Sequence, residues 1–263
     1  MVQESIEFIF LFKGPIINTA SIVNYFDKFH ENLYASNLQE ISYSVKSGNS
    51  VKGKSLKFNS KNIEKLIRSN PSGGFDLFSL LPDWTYKSKD IKFLVAYTPN
   101  FNDENGSLIL TINKDFFFKI FNNKKLVEIY LDIAKYLNNN MVEMTYGFIF
   151  SLSNDKFPAL FVQGIGNYNL TNNEDVKLRA WANKNNESSF KIWDIFWGNL
   201  ITLNHLQTPG FIQSIKKIVG ADNFYIINDL TYFFNLPDNS LSFDNEERIE
   251  SKELLKLFKK LKE

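Results

Sequence analysis

At 263 residues, with 44% apolar and 16% aromatic content, the chain can bury a large core, which argues against intrinsic disorder. Thirty basic side chains against 29 acidic ones leave a net charge of +1, so no overall field recruits nucleic acid or an anionic membrane. The absence of cysteine excludes disulfides, thiolate catalysis and cysteine-based zinc or iron-sulfur sites.

Residues 5–13 are rich in Ile and Phe and predict a strand inside a sheet covered on both faces. Glu4 and Glu7 stand where a signal peptide needs positive charge, and the run Phe8-Ile9-Phe10-Leu11-Phe12 is too short for its apolar region. No other apolar run approaches the roughly 20 residues that cross a bilayer, so the expectation is a cytoplasmic protein with no membrane partner. Gly14-Pro15 ends the strand, and Thr19 reads as the N-cap of a helix whose Ile22, Phe26, Phe29 and Leu33 form one apolar stripe. Ile41, Tyr43 and Val45 alternate with serines in a half-buried strand that ends near Gly48-Asn49.

From Lys46 to Arg68 the chain turns basic, with Phe58 its one aromatic. That composition reads as a solvated or partner-facing surface rather than a nucleic-acid platform. A short helix capped by Ser60 and presenting Ile63, Leu66 and Ile67 closes it, and Asn70-Pro71-Ser72-Gly73-Gly74 is a loop. Residues 91–98 and 107–113 predict strands joined across a polar loop ending in Asn105-Gly106. Leu126, Tyr130, Ile133 and Leu137 lie on one face of a helix bracketed by Asn122-Asn123 and Asn138-Asn139-Asn140. Strands are expected at 142–152 and 157–164, and Thr171 with Glu174 heads a further helix.

The densest aromatic stretch, 189–211, holds Phe190, Trp193, Phe196 and Trp197 and predicts the centre of a core. Beyond it, Thr208, Pro209 and Gly220 read as N-cap, first residue and stop of a helix. Two strands follow at 223–230 and 231–236. A terminal helix capped by Asp244 and Glu247 docks through Leu254, Leu257, Phe258 and Leu261. Hairpins mixed with isolated helices predict an α+β fold built on a mainly antiparallel sheet. It reads as a single domain over 1–263, or as two similar-sized lobes, 1–140 and 141–263, with a seam at 138–141.

Little in the sequence announces a reaction. His30 sits on the first helix and His205 follows the aromatic centre; two imidazoles so far apart in sequence leave no histidine-rich metal site. Asp83, Asp90 and Lys92 match a loose PD-(D/E)-x-K pattern, in which two carboxylates hold Mg²⁺ and a lysine activates water; this keeps a Mg-dependent nuclease as an alternative. Asp175-Val176-Lys177 falls on a predicted helix, and Gly164-Ile165-Gly166 lacks the third glycine of a dinucleotide site. No cofactor is expected.

The segment Trp193-Asp194-Ile195-Phe196-Trp197-Gly198-Asn199-Leu200-Ile201, with His205-Leu206 downstream, resembles immunity proteins of bacterial polymorphic and type VI secreted toxins. Members of that family carry a Trp-Gly-Asn-Leu core followed by a His-Leu step. The resemblance covers about the last third of the chain. It implies a non-catalytic cytoplasmic protein that neutralises a cognate protein toxin, with Trp193, Asp194, Trp197, Gly198, Asn199 and His205 as motif and core residues. The acidic set Asp238, Asp244, Glu246, Glu247 and Glu250 is one candidate surface for a basic toxin. A phage-related or structural interaction protein is the remaining alternative.

Overall fold

The computed structural model describes residues 4–14, 16–47, 50–69, 73–80, 91–99, 106–153, 192, 195–206, 210–237, 252–254 and 256–258. Ten strands are defined within them: β1 (Glu4–Lys13), β2 (Glu40–Ser47), β3 (Ser50–Lys57), β4 (Phe75–Leu80), β5 (Ile91–Thr98), β6 (Gly106–Asn113), β7 (Glu143–Ser153), β8 (Gly198–Thr202), β9 (Phe224–Asn228) and β10 (Thr231–Asn235). They form one sheet in the order β3-β2-β4-β5-β6-β1-β7-β8-β10-β9. Every pairing in it is antiparallel. With helices α1 (Thr19–Tyr34), α2 (Ser60–Ser69), α3 (Lys114–Phe118), α4 (Asn123–Asn139) and α5 (Phe211–Val219), the fold is α+β.

β1 lies inside the sheet between β6 and β7, and its side chains from Ser5 to Phe12 are all buried. This explains its near-continuous apolar sequence: a strand covered on both faces has no solvent face to alternate with. Phe8 and Phe10 point to the face covered by α4, whose Tyr130 ring stacks 4.3 Å from Phe10 and 4.6 Å from Phe233 of β10. The Tyr130 hydroxyl donates to the Ile9 carbonyl at 3.2 Å. That close approach needs Gly147 on β7, where a Cβ would meet the Tyr130 hydroxyl and come within 2.6 Å of the Ile9 carbonyl. On the same face α1 packs beside α4, with the Tyr25 and Tyr136 rings stacked at 3.8 Å.

β3 and β4 were not anticipated. β3 is an edge strand whose Lys54, Ser55 and Lys57 are exposed, so it pairs on one side and needs no apolar pattern. The helix caps sit one residue earlier than expected. Asn18, not Thr19, caps α1 by accepting from the Ala20 N–H at 2.8 Å, while Thr19 is buried. Asn59, not Ser60, accepts from the Asn62 N–H at 3.0 Å at the start of α2. Asn113 and Asn122 cap α3 and α4 in the same way. The asparagine amide carbonyl reaches the second or third free N–H of the first turn, and each of these helices is preceded by one. α5 runs from Phe211 after Gly210, which holds a left-handed φ of 84°, and Gly220 ends it as expected, while Thr208 and Pro209 lie outside the described residues.

The strands on either side of the expected 138–141 seam, β1 and β7, pair from Glu4↔Ser153 to Lys13↔Glu143, so one sheet runs across it. The expected strand at 157–164, the helix headed by Thr171 and the cap at Asp244 and Glu247 lie outside the described residues. Beyond them, residues 252–254 are helical, and Leu254 and Phe258 are buried.

Candidate interaction surface

The described part of the aromatic centre is interior. Ile192, Ile195, Phe196 and Trp197 are buried, and the Phe196 ring stacks on Phe148 of β7 at 4.1 Å. The Trp197 carbonyl accepts from the Leu236 N–H at 2.7 Å, which ties this segment to the end of β10. A Cβ at Gly198 would lie 2.9 Å from the Phe233 ring, so glycine is what lets β8 enter the sheet there. Asn199 closes the turn before it: its Oδ1 accepts from the Phe196 N–H at 2.9 Å and its Nδ2 donates to the Phe196 carbonyl at 2.8 Å. His205 is buried, with Nδ1 accepting from the Thr202 N–H at 3.0 Å, which places the ring proton on Nε2. The structure thus brings Trp197, Gly198, Asn199 and His205 together as packing and hydrogen-bonding residues of β8 and its ends. Trp193 and Asp194 lie outside the described residues, as do Asp238, Asp244, Glu246, Glu247 and Glu250.

The other described candidates, His30 and Lys92, are tied up locally. His30 is fully buried and donates from Nδ1 to the Ser36 carbonyl at 2.6 Å, leaving Nε2 to accept from the Ser79 hydroxyl at 2.8 Å. A serine bonded to an oriented imidazole is the arrangement of an activated nucleophile. Here Ser79 is only 2% exposed, so no substrate reaches it, and the pair serves as a polar bridge from α1 to β4. Burial pushes the His30 imidazole down to about 4, with Lys92 adding to the shift and the Ser36 contact opposing it. Lys92 enters β5 as expected, but its ammonium lies 4.2 Å from the Tyr34 ring centre and 4.6 Å from that of Phe116. Burial lowers its pKa. Asp83 and Asp90 lie outside the described residues, as do Asp175, Lys177 and Gly164 to Gly166. Among the described residues no group of three or more His, Cys, Asp or Glu side chains could hold a metal ion.

Two surface features stand out instead. The first is a basic edge, where Lys54 and Lys57 of β3 and Lys61, Lys65 and Arg68 of α2 are exposed. The second is apolar. β1 finishes, β7 starts, β8 finishes and β10 starts at one common end of the sheet. At that end Met141 is 84% exposed, Leu230 60%, Leu203 47% and Ile16 39%. Ile120, at the opposite end, and Ile226 on β9 complete the exposed large hydrophobics among the described residues.

This apolar end is built on fixed turns. Helix α4 closes with the Val142 N–H donating to the Leu137 carbonyl at 3.2 Å and the Met141 N–H to the Asn138 carbonyl at 3.0 Å. These are the paired bonds of a Schellman motif, which puts Met141 at the left-handed position, with φ 60°. Glycine is the residue that fits there, and a Met at positive φ is strained. The Leu203 N–H donates to the Leu230 carbonyl at 2.8 Å, and the Leu230 N–H donates to Asn228 Oδ1 at 2.9 Å. Asn228 Nδ2 in turn reaches Asn138 Oδ1 at 2.6 Å, joining the two turns. The sequence reading passed over these residues. The signals were present: a Met after three asparagines at a helix end, and a Leu after Asn228-Asp229 in a tight turn.

No family model matches the sequence, and neither does any curated protein. Among solved structures the chain is similar to the Pseudomonas aeruginosa T6SS protein PA0821, with a TM-score of 0.61 and 13% sequence identity. The likeness covers 97% of this chain and 72% of that one. At this identity it establishes a shared fold.

Proposed function

We propose that this protein is an immunity protein of a type VI secretion system, which binds a cognate toxin in the cytoplasm and neutralises it. The observation that carries the reading is the fold likeness to a T6SS protein over 97% of the chain. Three further features support it. The Trp197-Gly198-Asn199-Leu200 segment and the His205-Leu206 step, which resemble the immunity family, meet around one strand of the sheet. Both imidazoles are spent on hydrogen bonds in the interior. The prominent exposed features are an apolar sheet end and a basic edge, which suit binding to another protein. Such a protein acts by occlusion: it covers the toxin's active site or locks its conformation, with affinity from shape and a few anchors.

Co-expression with the toxin encoded beside its gene tests this. The expected result is restored growth of the host cell and a stoichiometric complex on purification. Undiminished killing with no complex would overturn the reading.

A further inference from the structure

Three of the exposed hydrophobics cluster on turns held by hydrogen bonds. Met141, Leu203 and Leu230 stand at the ends of β7, β8 and β10, which are consecutive in the sheet and so span about 10 Å at the usual strand spacing. Because hydrogen bonds already fix the backbone of the turns that carry them, these three apolar side chains dock without the cost of ordering a loop, as suits an interface centre. The strain at Met141 points the same way. Glycine would relieve the positive φ, yet the position carries a long, adaptable side chain held out in water.

We infer that this end of the sheet is where the toxin docks, and that it receives an apolar patch ringed by basic groups. This deepens the proposed immunity function and rests on it. The electrostatics choose between occupants. Glu143 and Asp229, both exposed, flank the three side chains, with Lys13 half-buried opposite Glu143 in the register. A second copy of this chain docking through the same patch would gather two Glu143 and two Asp229 carboxylates against two Lys13 ammoniums, a surplus of negative charge in one interface, because a two-fold contact uses the same patch twice. A partner with basic groups around its apolar patch meets no such repulsion.

The test measures affinity for the toxin encoded beside the gene, using wild type and the variants Met141→Gly, Leu203→Ser and Leu230→Ser. Ile120→Ser, an equally apolar exposed site at the opposite end, is the control. The expected result is a loss of about tenfold or more for each of the three variants and less than about twofold for the control. Met141→Gly is the sharpest arm: its Tm should equal or exceed that of wild type because the strained position is relieved, so lost affinity cannot be blamed on unfolding. Wild-type binding with all three variants within about twofold of it overturns the docking site and leaves the immunity reading standing. No binding by wild type removes both. A wild-type dimer by light scattering that the three variants turn into monomers assigns the patch to a second copy and also overturns the proposal.

Discussion

Glu7 is a carboxyl in the middle of a ten-stranded sheet, held by the Ser5 hydroxyl at 2.9 Å and the Thr111 hydroxyl at 2.6 Å. Burial pushes its pKa up to about 7, and the two hydroxyls only partly offset that. The folded state therefore holds the Glu7 proton more tightly than the unfolded chain. The resulting stability is fully present below the unfolded value of 4.5 and is lost as pH rises through about 7. His30 behaves oppositely: with its pKa depressed to about 4, its contribution is present above 6.5 and is lost as pH falls through 4. Glu7→Gln keeps a hydrogen-bonding amide but cannot ionise. Urea unfolding across this range should show the variant gaining on wild type by up to about 3 kcal/mol between pH 4 and pH 8. Parallel profiles would mean that Glu7 is solvated in a way these contacts do not describe.

At the level of elements, the packing of α4 on β1 and β7 depends on an absent side chain. Gly147 lets the Tyr130 hydroxyl reach the Ile9 carbonyl, and a methyl group there would strike both. Relief would have to come from moving backbone in the central strands. Gly147→Ala should therefore destabilise by about 2 kcal/mol or more, read by chemical denaturation. A cost within about 0.5 kcal/mol would show that α4 lifts freely from the sheet. The two sheet edges are managed differently. β3 carries exposed Lys54 and Lys57, which discourage strand addition. The outer strand β9 has no charged residue and is protected by its five-residue length and by a register shift against β10.

For the whole molecule, the decisive pairing is that of β1 with β7, because it joins the first strand to one that begins after residue 140. Expressed separately, segments 1–140 and 141–263 should each fail to fold: the first would bare the β7 side of an apolar strand, and the second would lose the partner along the full length of β7. Mixing them should recover structure only if β1 and β7 find each other. Two independently folded, cooperative fragments by circular dichroism and thermal melts would support the two-lobed description instead. The same continuity ties the apolar end together, since the strands that deliver Met141, Leu203 and Leu230 belong to the sheet that contains β1.

Local chemistry made much of this protein legible in advance. The apolar run of β1, the stripes of α1 and α4, the β5–β6 hairpin, the Gly220 stop and the final strand pair all follow from periodicity and turn residues, which act over a few positions. The α+β class follows from their order. Tertiary structure alone decided the rest, because it depends on what distant residues do to one another. An edge strand such as β3 escapes the apolar pattern since only one side of it is paired. A buried His30–Ser79 bridge joins residues 49 positions apart. The exposed cluster at the sheet end comes from three separate connections, each unremarkable alone, and becomes one surface only when antiparallel pairing sets their strand ends side by side.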